Sequence, residues 1–321
     1  MQAVIIAGGK GTRLRPLTYS NPKPMLPLLE RPFLDWMVDR CRQVGITDIL
    51  INIHYQAGQI QDYFGDGSQH GVKIRYVEEN EPLDTAGSMK LAEPYFTGDP
   101  LLVFNADILT DLNLEALIEA HTSSGADATL TLARVDDPTA FGLVELGEGG
   151  SDDCKPVLAF REKPTAEEAA KLAIDTVNAG TYVINPEVFA QYEANKPLSF
   201  ERTVFPDILS QGKSMMGFVW DGYWLDLGTP LKYYNGQVDI LKGTMPFDKP
   251  ESMASCSGDQ WISESAVIDD AAKLESPCYI GDRVKLGPNA VIPAGTVVHA
   301  DSYIDAAVKP GVYTSGSLFV S

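Results

Sequence analysis

The stretch Gln2-Ala3-Val4-Ile5-Ile6-Ala7, followed at once by Gly8-Gly9-Lys10-Gly11-Thr12-Arg13-Leu14-Arg15-Pro16-Leu17, decides how the chain reads. Its first six residues form a short apolar strand. In an open α/β sheet, ligands bind beyond the carboxyl ends of the strands, which is where the glycines fall. Three glycines in four positions leave backbone N–H groups uncovered and let a phosphate come close. Residues 10–31 carry Lys10, Arg13, Arg15, Lys23 and Arg31 against the single acid Glu30. The whole chain has 25 basic and 44 acidic residues, a net charge of −19. A positive cluster inside so acidic a chain points to a small polyanionic ligand.

Outward from this loop the chain alternates strands and helices. Phe33–Val44 reads as a helix with Leu34, Met37, Val38, Cys41 and Val44 on one face, and Asp48–Ile53 as a strand. Gln56–Phe64 is a helix, Val72–Val77 a strand, and a further helix is expected to start at Thr85, capped by that threonine. Leu101–Asn105 is a buried strand running into Asp107, followed by a helix over Leu112–Ser123 and a strand over Asp127–Arg134. This order predicts a mostly parallel sheet covered on both faces. Around Asp136–Asp153 glycine, proline and acidic residues dominate. The short strands Phe141–Leu146, Val157–Arg161 and Gly180–Ile184 read as an insertion beside the sheet. A helix over Thr229–Lys242 closes the region, and Gly243–Gly258 reads as a linker.

The tail obeys another rule. Ile262, Ile268, Leu274, Ile280, Leu286, Ile292, Val298 and Ile304 are spaced six apart without a miss. Mostly small residues, among them Ala272, Cys278, Ala290, Thr296 and Ser302, sit two positions earlier. A strict period of six suits a parallel β-helix with an apolar core. The expected organisation is a domain over residues 1–242, a linker over 243–260 and a repeat domain over 261–321. At about 150 residues per domain, 321 residues give roughly this number.

Composition narrows the partners. Such an acidic chain is a poor candidate for binding nucleic acid or an anionic membrane. Apolar runs are far shorter than the ~20 residues of a membrane span, and the first residues lack the pattern of a secretory leader. Cys41, Cys154, Cys256 and Cys278 are far apart with no Cys-x-x-Cys pair, so reduced cysteines and a cytoplasmic location are expected.

Three phosphate-binding patterns compete at residues 8–17. A dinucleotide fold needs a third glycine where Leu14 stands, and a P-loop needs another order and spacing than Gly9-Lys10-Gly11-Thr12. The third pattern, Gly-Gly-x-Gly-Thr-Arg-Leu followed by Pro22-Lys23-Pro24, matches position for position. On these residues the chain resembles the sugar-1-phosphate nucleotidyltransferases. Further segments resemble the family too: Glu81-Pro82-Leu83-Asp84-Thr85-Ala86-Gly87, Asn105-Ala106-Asp107, Glu162-Lys163-Pro164, Asn178-Ala179-Gly180 and Trp224-Leu225-Asp226-Leu227-Gly228. The nearest group is the bacterial mannose-1-phosphate guanylyltransferase-like one, which usually has glycine at the position of Asp84.

The resemblance implies a Rossmann-like, mostly parallel α/β sheet with helices on both faces and a short left-handed parallel β-helix at the C-terminus. It implies transfer of a nucleoside monophosphate from a nucleoside triphosphate to a sugar 1-phosphate, releasing pyrophosphate. GTP and mannose 1-phosphate lead; dTTP or UTP with another sugar 1-phosphate, and a non-catalytic nucleotide-sugar sensor, stay open. Arg13 and Lys23 would neutralise phosphates, and Asp107 and Asp226 would hold Mg²⁺. Ala7, Gly8, Gly9, Gly11, Thr12, Glu81, Ala86 and Gly87 would hold the nucleotide; Glu162, Lys163, Asn178 and Gly180 the sugar phosphate. Histidines 54, 70 and 121 are expected to be structural, and Trp220, Tyr223 and Trp224 core. His299 could be an acyltransferase base, but so short a tail fits packing or self-association into a homo-oligomer better.

Overall fold

The computed structural model describes residues 1–135, 137, 141–162, 167, 174–248, 253 and 259–320. Its first part is built on β1 (Gln2–Ile6), the small hairpin β2 (Pro27–Leu28) and β3 (Arg31–Pro32), α1 (Phe33–Gln43), β4 (Asp48–Ile53), α2 (Ala57–Phe64), β5 (Lys73–Glu78) and α3 (Asp84–Ala92). Then come β6 (Leu101–Asn105), β7 (Ile108–Thr110), α4 (Leu114–Ser124), β8 (Ala128–Arg134), β9 (Gly142–Leu146), β10 (Cys154–Glu162) and β11 (Thr176–Ile184). The part closes with α5 (Phe205–Ser210), β12 (Met215–Val219), β13 (Trp224–Asp226) and α6 (Pro230–Leu241).

Nine of these strands form one sheet in the order β5-β4-β1-β6-β11-β8-β12-β10-β9 among the described residues. β5, β4, β1 and β6 are mutually parallel, as the strand–helix alternation predicts. Alternate residues feed opposite faces, as the strand pleat requires. Ala3, Ile5, Ile49, Ile51, Leu102 and Phe104 pack with α1, α2 and α4, while Val4, Leu50, Leu101 and Val103 pack with α3 and α5.

Two expectations are corrected here. The strands after residue 136 are no insertion beside the sheet: β9, β10 and β11 belong to it. The sheet is consequently mixed, because β11 runs antiparallel to both β6 and β8, and β10 to both β12 and β9. The seven residues between β9 and β10 are too few for a crossover, so these strands can pair only antiparallel. Thr85 caps nothing. Helix α3 begins one residue earlier, and its free Ala86 and Gly87 N–H groups both donate to the Leu198 carbonyl at 2.9 Å. With the donors satisfied there, the Thr85 hydroxyl turns to the Phe200 N–H (3.1 Å) and the Glu201 carboxylate (3.3 Å). Thr229, by contrast, does cap α6, accepting from the Lys232 N–H at 3.4 Å.

The tail consists of two- and three-residue strands in parallel sheets. Ile262 lies beside Ile280 and Ile280 beside Val298; Ile268 beside Leu286 and Leu286 beside Ile304; Leu274 beside Ile292. Each step is three periods of six. One apolar core collects Ile280, Leu286, Ile292, Val298 and Ile304 together with Cys278, Val284 and Ala290 from two positions earlier. At the end the step shortens: Thr296 pairs with Gly311 and Tyr303 with Leu318.

The tail also joins the first part. Tyr279 and Val297 share a core with α1, and Val312 packs against Leu14, Leu26 and Tyr233. Within the expected linker, Met245 is buried and Phe247 stacks on Trp36 at 6.4 Å; residues 249–252 and 254–258, including Cys256, lie outside the described residues. Cys41, Cys154 and Cys278 are buried and form no disulfide among the described residues, and burial pushes the Cys41 thiol up to about 12.

His299 is 3% exposed in this seam, and burial pushes its imidazole down to about 4. The unfolded chain therefore binds a proton there that the folded one refuses. Stability from this group is complete above the ordinary histidine value of ~6.5 and is lost as pH falls from there toward about 4. Native protein should lose about 3 kcal/mol more across that window than His299→Leu does. Urea unfolding of both proteins at a series of pH values measures the difference; parallel pH dependences would contradict it.

Candidate active site

The glycine loop leaves β1 at its carboxyl end, where the Ala7 N–H donates to Asn52 at 2.9 Å. Gly11 has φ +58, and the Thr18 hydroxyl donates to its carbonyl at 2.8 Å. A Cβ on Gly11 would stand 3.0 Å from both the Lys23 Cβ and the Thr18 Cγ2, so both backbone freedom and close approach demand glycine. The N–H groups of Gly8, Gly9, Gly11 and Thr12 meet no backbone acceptor among the described residues. They are available to an anion.

Lys23 begins a short turn between two prolines, and its Nζ lies 2.7 Å from Asp107 Oδ2. Asp107 follows the end of β6, where the Ala106 N–H is tied to Ile6 at 3.2 Å. The second aspartate arrives by strand pairing. β7 and β13 are antiparallel, with Asp226 opposite Ile108, and the Leu227 N–H donates to the Asp107 carbonyl at 2.8 Å. Residues 119 apart in sequence thereby meet at one sheet edge. Asp226 is held by Lys232 at 2.9 Å, a residue of α6's first turn. Glycine at 228 leaves room for this: a Cβ there would stand 2.6 Å from Asp226 Oδ1 and 3.1 Å from Arg13 Nη2.

Two cavities adjoin at Asn105 and Asp107. One, of about 210 Å³, is lined by Ala7, Gly9, Lys23, Pro24, Thr85 and Ala106 among others. The other, of about 460 Å³, is lined by Arg13, Asn178, Gly180, Glu201, Trp224, Phe141 and Asp226 among others. Gly180 has φ +77, and a Cβ there would press to 3.0 Å on both Asn105 and Ile108. Asn178 donates to the buried Tyr182 hydroxyl (2.9 Å) and accepts from the Gly180 N–H (3.1 Å), which fixes the cavity wall.

Not every expected residue stands here. Ala86 and Gly87 are buried with their N–H groups committed to Leu198, and a Cβ on Gly87 would stand 2.9 Å from both the Leu83 Cβ and the Lys196 carbonyl oxygen, so close packing requires glycine there. Glu81 is exposed and lines neither cavity, while the buried Glu79 beside Gly8 accepts from the Leu83 N–H and the Ser88 hydroxyl. Lys163 and the Glu162 side chain lie outside the described residues. Trp224 is a cavity wall, with its indole N–H donated to Ala179 at 2.9 Å. Trp224 is thus only partly buried and faces the cavity, where a core position was expected. Lys232, Phe141 and Asn105 were equally unassigned. Asn105 Oδ1 is buried without a partner where the cavities join.

Chemically, the arrangement gathers two carboxylates, two lysines and an arginine at the rim between two cavities. Paired carboxylates suit a hard divalent cation that completes its shell with water and phosphate. Each carboxylate is now neutralised by a lysine, Asp107 by Lys23 and Asp226 by Lys232. Lys232→Met should lower kcat roughly tenfold, less than the ~10²–10³ lost with a group aimed at developing charge. Initial rates at saturating substrate measure it, and an unchanged kcat would leave Lys232 as a mere partner of Asp226.

The nucleotidyl transferase family profile matches residues 2–243. The mannose-1-phosphate guanylyltransferase of Mycobacterium tuberculosis is 36% identical over 311 residues, 95% of this chain and 83% of that one. The probable mannose-1-phosphate guanylyltransferase 1 of rice (Oryza sativa subsp. japonica) is 35% identical, over 92% of this chain and 79% of its own length. Among solved structures, HddC from Yersinia pseudotuberculosis superposes with a TM-score of 0.61 at 28% identity, covering 74% of this chain and 99% of that one. A putative glucose-1-phosphate thymidylyltransferase from Bacillus anthracis gives 0.65 at 25% identity, covering 78% and 98%. Signature loop, converging aspartates and relatives matched over most of their length agree that the chain belongs to the nucleotidyl transferase family, among its sugar-1-phosphate nucleotidyltransferases.

Proposed function

We propose that the enzyme transfers GMP from GTP to mannose 1-phosphate, giving GDP-mannose and pyrophosphate. The observation that carries this reading is the shared rim at Asp107, where a cavity beside the glycine loop opens into a second one walled by Asn178, Gly180 and Trp224. The relatives named above supply the choice of guanine and mannose.

The nucleophile is a phosphate oxygen of the sugar 1-phosphate and is already anionic. It forms a bond to the α-phosphorus as the bond to the β-phosphate oxygen breaks, and pyrophosphate leaves with that electron pair. No base is required; the obstacle is holding two polyanions in line. The free N–H groups of Gly8, Gly9, Gly11 and Thr12 bind the triphosphate with Arg13. Lys23 moves from Asp107 to the α-phosphate, where charge shifts during displacement. Asn178 and Gly180 shape the sugar side, with Glu162 and Lys163 completing it. Asp107 and Asp226 are the residues that would hold Mg²⁺, which supplies charge neutralisation across the reacting phosphates. In this reading residues 1–242 are the catalytic domain, joined through 243–260 to a left-handed parallel β-helix over 261–321 that mediates homo-oligomerisation. No helix among the described residues is long and apolar enough to cross a membrane, and we place the enzyme in the cytoplasm.

Pyrophosphate release with Mg²⁺, crossing GTP, dTTP and UTP with mannose, glucose and heptose 1-phosphates, tests the proposal. The highest kcat/KM should belong to GTP with mannose 1-phosphate. A preference for another pair would overturn the substrate assignment, and tight nucleotide-sugar binding without release would favour a sensor.

A further inference from the structure

The hairpin β2–β3 turns through Leu29, a buried branched residue held at φ +57. Left-handed backbone at a bulky side chain is strained and persists only where the surroundings impose it. Here they do so from two distant parts of the chain. The Tyr233 hydroxyl on α6 donates to the Pro27 carbonyl at 2.5 Å. One turn along the same face, Gln237 Oε1 accepts from the Leu29 N–H at 3.2 Å. From the tail, His299 lines one small cavity together with Leu26, Pro27 and Tyr233. Both Gln237 and His299 are buried, and each leaves one nitrogen, Nε2, without a partner. Apolar side chains would fill those places without orphaned polar atoms. What glutamine adds is a hydrogen bond to the backbone of the turn, and what histidine adds is a polar ring from the tail set beside it.

That turn is tied to the reactive loop. Lys23 lies four residues before Pro27, on the run that enters β2. Leu26 from this run and Leu14 beside Arg13 both pack on Tyr233, with Val312 of the tail against them. Among the described residues, no tail side chain lines either substrate cavity.

We propose that Tyr233, Gln237 and His299 form a positioning clamp that sets Lys23 against Asp107, making the tail part of the catalytic apparatus without touching substrate. The inference rests on the role of Lys23 given under Proposed function.

The experiment measures kcat and KM of the full chain carrying Tyr233→Phe, Gln237→Met or His299→Leu, each alone and combined with Lys23→Met. Alone, Gln237→Met and His299→Leu should lower kcat about tenfold, and Tyr233→Phe about threefold, with KM within about twofold. In the Lys23→Met background the same changes should alter kcat by less than about twofold, since a residue acting through Lys23 has nothing left to position. Native kcat in the folded single variants, or losses that multiply fully with Lys23→Met, would overturn the clamp. Tyr233→Phe deletes one oxygen and keeps its ring, so it decides the matter if the other two fail to fold. Native kcat in Lys23→Met alone would instead strike down the role of Lys23 itself, and the clamp's catalytic use with it.

Discussion

Asp107→Asn should lower kcat about 10³-fold while leaving the fold intact. The magnitude is the upper end of what a single group aimed at developing charge contributes. The substitution changes almost no volume, and the side chain is 31% exposed, so packing scarcely notices it. The structural bond at this residue, from the Leu227 N–H to its carbonyl, uses backbone alone and survives. What is lost is a formal charge at the point where the two cavities meet. Lys23 then has no counter-ion at 2.7 Å, and of the two converging aspartates only Asp226 keeps its charge. Rates should also demand more Mg²⁺ for half-saturation, because one ligand has lost its charge. Unfolding curves should overlay those of the native protein. A kcat within tenfold of native, with an unchanged Mg²⁺ dependence, would remove Asp107 from the catalytic centre.

How much of this was legible beforehand follows from the distance over which each feature is determined. The glycine loop is local: its residue types, its place after β1 and its charge lie within about thirty residues, and it is found where expected. The repeat in the tail is equally local in period, and Ile262, Ile280 and Val298 do stack at every third step. The convergence of Asp107 and Asp226 is not local. Their separation of 119 residues carries no signal of its own, and only the resemblance joined them. Lys232 was missed for another reason: it is only six residues from Asp226, but a strand ends and a helix begins between them, so no single periodicity sets the two side chains together. The strands after residue 136 were misplaced because a glycine-rich, acidic run looks peripheral, whereas sheet membership is decided by partners such as β6 and β8. Glu81 and Gly87 come from one segment that matches a family pattern, and the fold divides them between an exposed side chain and a tightly packed helix.

Gly228→Ala should produce the second-largest loss, about 10²-fold in kcat, without a matching loss of stability. The position has no left-handed backbone requirement, unlike Gly11 and Gly180. Alanine there limits the unfolded chain more than glycine does, a gain of ~0.4–1 kcal/mol where the native backbone accepts it. The cost lies wholly in the site. The new methyl would stand 2.6 Å from Asp226 Oδ1 and 3.1 Å from Arg13 Nη2, and the first distance is too short to hold. Arg13 is long and can yield. The aspartate is short and bonded to Lys232 at 2.9 Å, so its carboxylate must leave its present position and strain that bond. A shift of roughly 1 Å at a reacting centre costs about 10²-fold in rate. The measurement pairs thermal unfolding with kcat: Tm should hold or rise while turnover collapses. Native turnover with the methyl in place would mean that Asp226 has freedom to move, and that its position beside Asp107 is not what the reaction depends on.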